Sequence, residues 1–279
     1  MVDSGEKKPT LIRKLLLLVL VLLALVGISS ISSEWIEEQG AENRIGVIDI
    51  AGLISDSQHI VNQVKKFSQD KRIRGIVLRI DSPGGSVGPS QEIYDEILKA
   101  RKGGKIIYAS MGTLAASGGY YIASAAEKIF ATPGTLTGSI GVIMAFSNAK
   151  GLMEKIGLQP EVIKAGEYKD IGSPARAMTK KEKSLLQSVV SDVHQQFIEA
   201  VAIGRGISIE EVTKIADGRI LTGRQAHSLN LVDQMGGLQV SIEQLAKKVG
   251  IIGIPKIIKE KPRVGLLERI LKAAINQPL

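Results

Sequence analysis

The chain has no cysteine among its 279 residues. That excludes a disulfide, a thiol nucleophile and a cysteine-bound metal, and it is compatible with an oxidising compartment. Aromatic residues make up only 4%. A core must therefore be built from Ile, Val, Leu and Ala. No aromatic platform is interleaved with the scattered lysines, so nucleic-acid binding is not expected despite a formal charge of +8. The three histidines are His59, His194 and His227. The first two lie in helical patterns, and His227 follows Thr222-Gly223-Arg224-Gln225-Ala226. None sits on a strand-end loop, so all three read as structural. No metal-ligand spacing such as H-E-x-x-H occurs, and no cofactor is expected.

Leu15 to Ile28 is an apolar run of 14 residues. Lys7, Lys8, Arg13 and Lys14 precede it, and Glu34, Glu37, Glu38 and Glu42 follow it. The cations ahead of the run put the N-terminus in the cytoplasm and the rest of the chain outside. Two readings compete. A helix of this length rises only about 21 Å, short of the roughly 30 Å hydrocarbon core. That also suits the h-region of a cleaved signal peptide, with Ser30-Ile31-Ser32 as the cleavage site. Against cleavage, Leu11, Ile12 and Ile31 extend the run, and Arg13 and Lys14 can snorkel. The expectation is a basic cytoplasmic stretch over 1–14, an uncleaved single-pass anchor over 15–31 and a polar linker over 32–43. The net positive charge suits a surface near an anionic membrane.

Beyond the linker, short β-branched runs alternate with helical patterns. Strands are expected at Gly46–Ile50, Gly75–Ile80, Lys105–Met111, Lys128–Ala131, Gly141–Phe146 and Glu161–Ala165. Helices are expected around Ile60 to Phe67, Ile93 to Leu98 with Ser90 as cap, Ser117 to Ala126, and Lys150 to Ile156. The alternation argues for an α/β fold with parallel strands over 44–250. Capping-box patterns at Thr179/Glu182, Ser208/Glu211 and Ser241/Gln244 open three later helices. The first carries an apolar stripe from Leu185 to Val201 that reads as core packing. A tail over 251–279, punctuated by Pro255 and Pro262, ends in an amphipathic segment at Leu266 to Ile275.

The chemistry points to amide hydrolysis without histidine or metal. Ser117 lies between a strand end and a helix start, in a run of small residues, and is the candidate nucleophile. It is equally placed to cap that helix. Asp81-Ser82-Pro83-Gly84-Gly85 follows a strand, and its glycines let backbone approach a ligand closely. Gly118 N–H and either Gly85 or Gly84 N–H are the candidate oxyanion donors. The same loop also reads as an ordinary turn. A phosphate loop is disfavoured because no lysine follows the glycines. Lys169 is the candidate base, which requires its pKa to move from about 10.4 toward 7 or 8 by burial. Ser139 is suited to hold the amine. Asp170 is expected to point away, since its carboxylate would raise that pKa.

Taken together, the N-terminal run, Asp81 to Gly85, Ala115 to Tyr121, Leu136 to Val142 and Gly166 to Lys169 closely resemble signal peptide peptidase A, a family of bacterial and archaeal membrane-bound serine peptidases. The resemblance spans about Arg44 to Val249. It implies a Clp protease/crotonase-like fold of repeated ββα units with a helical C-terminal region. It implies a Ser–Lys dyad of Ser117 and Lys169, Ser139 bonded to the lysine, and oxyanion donors at Gly85 and Gly118. The implied substrates are hydrophobic peptides, above all signal-peptide remnants. The implied assembly is a ring of identical subunits with Ser117 of one facing Lys169 of another. With no second copy of the motifs, the chain resembles the family's short form. One departure is Ser173 before Pro174, where the family more often has an acidic residue; this bears on substrate preference. A second reading is a non-catalytic acyl-CoA binder on the same scaffold, holding a thioester with the glycine donors. The expected extracytoplasmic address speaks against it.

Overall fold

The computed structural model describes residues 43–260. The expected anchor over 15–31 and the amphipathic segment at Leu266 to Ile275 lie outside the described residues. Among the described residues no helix is long and apolar enough to cross a membrane.

An eight-stranded mixed sheet organises the chain. Its centre is three parallel strands, β1 (Arg44–Ala51), β2 (Ile73–Ser82) and β3 (Ile106–Ala116). In β2 residues 75–78 are all buried, as a central strand covered on both faces requires. Ile76, Leu78 and Ile80 face one core, whereas Val77 faces another with Ile45 and Val47. The larger core is covered by α1 (Gln58–Gln69), α2 (Val87–Lys102), α3 (Gly118–Ser124) and the C-terminal half of α5 (Lys180–Arg205). The smaller is covered by α8 (Leu238–Lys248), through Ile242, Leu245 and Ala246.

Strand β3 forks the sheet. Its first half pairs with β4 (Lys128–Ala131) and its last residues pair with β5 (Leu136–Gly138). β5 in turn carries the antiparallel β6 (Ile220–Thr222), and β4 carries β7 (Gln234–Met235). At the other edge β8 (Lys256–Lys259) runs parallel to β1. The helices α4 (Lys150–Lys155), α6 (Ile209–Thr213) and α7 (Gly223–Ser228) lie in the connections.

Several expectations are corrected. Residues 141–146 and 161–165 form no strand. Ile143 is 89% exposed and Ile163 102%, so the apolar pattern is present but has no neighbour to pair with in a single chain. Ser90 does not cap α2. Ser86 holds that position, and Ser90 is buried in the first turn with its hydroxyl donating to Ser86 O at 2.9 Å. α8 begins at Leu238, so Ser241 lies inside it. The Thr179 and Ser208 capping boxes form as expected, and Thr222 with Gln225 makes a third.

The smaller core predicts a steep response to truncation. Leu245 is fully buried, and its side chain packs where a Cβ on Gly75 would lie, 2.9 Å away. Leu245→Ala should lower the unfolding free energy by about 2–5 kcal/mol, measured by urea unfolding. A loss well under 1 kcal/mol would show that this layer collapses to fill the space.

Candidate active site

Ser117 occupies the turn between β3 and α3 with φ 52° and ψ −124°. A non-glycine residue rarely adopts positive φ, and such strain is held only where the surroundings over-determine it. Two contacts do so here. The Ser117 N–H donates to Gly138 O at 2.9 Å. Gly84, at φ +97°, packs against the turn so closely that a Cβ there would lie 2.6 Å from Gly118 N. Ser117 stands at the N-cap position of α3 but makes no capping bond. The capping role is therefore not realised, and the hydroxyl is left for other work.

The glycine loop is fixed from the other side by Ile54. Ile54 N–H donates to Gly84 O at 2.9 Å, and Ser86 N–H donates to Ile54 O at 2.7 Å. A Cβ on Gly85 would lie 2.1 Å from Ile54 O, so the loop admits no side chain there. Gly118 is as tightly placed: a Cβ on it would lie 2.5 Å from Ser90 Oγ and 3.4 Å from Gly85 N. The Gly85 and Gly118 amides thus lie side by side next to Ser117. Two adjacent N–H groups at a helix start favour a developing negative charge.

A cleft of about 580 Å³ opens over this turn and is lined by Gly85, Ser117, Gly118 and Ser139. Ser139 also has positive φ, 50°, and its N–H donates to Arg219 O at 2.8 Å. The opposite wall is α5, with Val190, Val193, His194 and Phe197. The α5 stripe therefore divides: Ile198 and Val201 are core, but its N-terminal half faces the cleft or solvent, with Leu185 and Val189 each 42% exposed. His194 was expected to be structural; it lines the cleft, and its Nε2 is buried without a partner among the described residues. Gln91 and the Asp217–Gly218 turn also line the cleft and carried no recognisable pattern in sequence, whereas Tyr121, another lining residue, ends the small-residue run that holds Ser117.

Lys169 is exposed and is not among the cleft-lining residues of its own chain. Its loop is nevertheless tied down. Arg176 Nε and Nη2 donate to the Asp170 carboxylate at 2.7 and 2.9 Å, and Lys164 Nζ adds a third bond at 2.5 Å. Arg176 also reaches Glu182 at 2.9 and 2.5 Å. The Asp170 carboxylate is thus engaged by Arg176 and Lys164. The Arg176 hydrogen bonds, then Lys164, hold the Asp170 carboxyl well below the usual range. Arg176 and the Thr179 N–H together bring Glu182 down to about 2. Among the described residues no cluster suited to a metal ion occurs.

The profile of Peptidase family S49 matches residues 99–251, a span that takes in Ser117, Ser139 and Lys169. The chain belongs to peptidase family S49. A Synechocystis protein named as a candidate protease is 42% identical over 203 residues, covering 72% of this chain and 73% of that one. An Enterococcus faecium protein named as a candidate signal peptide peptidase SppA is 37% identical over 235 residues, covering 80% and 68%. Protease 4 of Salmonella typhi is 34% identical over 212 residues, 73% of this chain and 34% of that longer relative. This S49 protein is a serine-type peptidase.

The ion-pair network makes the loop that carries Lys169 acid-sensitive. Glu182 has its pKa lowered from the ordinary 4.5 to about 2. Its contribution is complete above the ordinary value and is lost as pH falls toward the lowered one. Backbone amides of Ile171 and Ser173 should therefore lose hydrogen-exchange protection between about pH 4.5 and 2. Arg176→Met should cause the same loss at neutral pH. Unchanged protection in that variant would show that the loop is held by something else.

Proposed function

We propose that this S49 peptidase is a membrane-anchored endopeptidase that cuts hydrophobic peptides, including signal-peptide remnants, with a Ser117–Lys169 dyad. The observation that carries the reading is Ser117 itself, a strained, uncapped serine beside two adjacent glycine amides on the floor of a cleft. In this scheme a neutral Lys169 amine takes the Ser117 Oγ proton as the oxygen attacks the scissile carbonyl. The oxyanion is met by the Gly85 and Gly118 N–H groups. The resulting ammonium returns the proton to the leaving amine, and water then hydrolyses the acyl-enzyme by the same route. Ser139 hydrogen-bonds the amine and steers it toward Ser117. The apolar wall of Val87, Val190, Val193 and Phe197 suits apolar substrate side chains.

Lys169 comes from a neighbouring subunit in this scheme. Its exposure in the single chain supports this, as does the apolar surface flanking it in sequence, where Ile143, Phe146, Val162 and Ile163 are all exposed. A second copy laid on this segment would bury the isoleucines and exclude water from the amine. The scaffold is read as Clp protease/crotonase-like, and the assembly as a closed ring with the peptidase domain outside the cytoplasm.

Ser117→Ala and Lys169→Ala should each lower peptide cleavage by about 10³-fold or more without lowering the melting temperature. Wild-type activity should rise with pH as an amine deprotonates. Retained turnover in either purified variant would remove the dyad. Mixing and reassembling the two inactive variants should restore part of the activity, because some junctions regain an intact serine facing an intact lysine. No recovery from a mixture shown to co-assemble would place both groups in one subunit.

A further inference from the structure

The two ends of the parallel sheet differ in chemistry. The glycine loop and Ser117 follow the C-terminal ends of β2 and β3. At the opposite end the chain enters its strands through cations: Arg44 opens β1, Lys71 and Arg72 precede β2, Lys102 closes the helix before β3, and Lys256 opens β8. Helix α8 ends at the same place on Lys247 and Lys248, its position fixed by Arg74 donating to Val249 O at 3.2 Å. The carboxylates here are already engaged, Asp70 by Arg72 at 2.9 Å and Glu127 by Lys248 at 3.7 Å. Lys71, Lys102, Lys247 and Lys256 are exposed and form no ion pair among the described residues.

From this basic rim project two isoleucines. Ile252 and Ile254, in the loop between α8 and β8, are 92% and 96% exposed, while Ile251 beside them is buried and holds the loop in place. The loop also marks where the N-terminal segment arrives. Lys256 N–H donates to Asn43 O at 2.8 Å, and the apolar run Leu15–Ile28 lies upstream of Asn43.

We infer that this rim is a membrane-contacting surface, seated on anionic lipid headgroups with Ile252 and Ile254 entering the interface. The inference rests on the membrane-anchored reading above and adds a second contact, made by the catalytic domain itself. An anionic lipid layer fits better than a protein partner. The unpaired charge is of one sign, and the apolar element is two isolated tips rather than a groove. The orientation has a consequence for the reaction. β3 has 11 residues between the rim and Ser117, a rise on the order of 35 Å at about 3.3 Å each. The nucleophile then stands clear of the bilayer, and a peptide is cut after it has left the lipid.

The absence of cysteine makes the test direct. Ile252→Cys, Ile254→Cys and, as a control after the far end of β1, Leu53→Cys are made in the full chain. Each is labelled with an environment-sensitive fluorophore and reconstituted into phosphatidylglycerol–phosphatidylcholine vesicles that carry a shallow nitroxide lipid quencher. Labels at 252 and 254 should be quenched several-fold more than the label at 53, and less strongly in phosphatidylcholine alone. Quenching no greater than at 53, in vesicles that retain the protein, overturns the inference and leaves the anchor standing. Shielding of 252 and 254 in detergent before lipid is added assigns the rim to a second copy and also overturns it. Quenching as strong in phosphatidylcholine alone overturns the role given to the lysines. A chain that does not stay with the vesicles fails the anchored reading, and the inference falls with it.

Discussion

The site depends on one backbone turn, the end of β3 at Ser117. The parallel sheet delivers β2 and β3 side by side, so the glycine loop after β2 and the serine after β3 emerge as neighbours. The hydrogen bond from Ser117 N–H to Gly138 O fixes the turn from the β5 side, and the fit of Gly84 against Gly118 fixes it from the β2 side. The second contact tolerates no side chain on Gly84, as the contact with Ile54 tolerates none on Gly85. The strain at Ser117 is thus held by sheet geometry, and the same geometry sets the two amides beside the hydroxyl. In the proposed mechanism such preorganised donors need no rearrangement when charge develops on a substrate.

The second half of the proposed machinery is built on different terms. The loop bearing Lys169 lies outside the sheet and is secured by ion pairs: Arg176 joins Asp170 to Glu182, and Glu182 closes the capping box of α5. α5 also forms a wall of the Ser117 cleft. One helix therefore links the lysine loop at its start to the substrate cleft along its length. The rigid sheet carries the proposed donors and the proposed nucleophile. A charge-stapled loop presents the amine outward, where the proposed neighbouring subunit would receive it.

The sheet also gives the molecule a polarity. Strand C-termini carry the site, and strand N-termini carry lysines, arginines and the exposed isoleucines. The N-terminal segment enters at the basic end. With the proposed anchor upstream, the proposed lipid contact and the proposed hydrolytic site lie apart by the length of a strand.

Much of this was legible in sequence. The central strands, the alternation with helices and the Thr179 and Ser208 caps follow from local patterns that tertiary contacts reinforce. The small-residue run at Ser117 and the paired glycines marked the site, because close backbone approach tolerates few other residues. The segments at 141–146 and 161–165 were misjudged because β-branched patterning records a need for a partner, not the presence of one. Ser90 and Ser241 looked like caps, since a serine at an N-cap and one in a first turn differ only in backbone angles. The short strands β5, β6 and β7 exist through pairing alone and have too few residues to show a period. The sequence by itself determined which residues can do chemistry and which runs must be buried. Only the tertiary structure decided that Ser117 is strained and makes no capping bond, that Gly85 and Gly118 lie together, and that Lys169 is exposed and does not line the cleft of its own chain. Those are relations between distant strands and loops, set by sheet register and packing, and no local pattern encodes them.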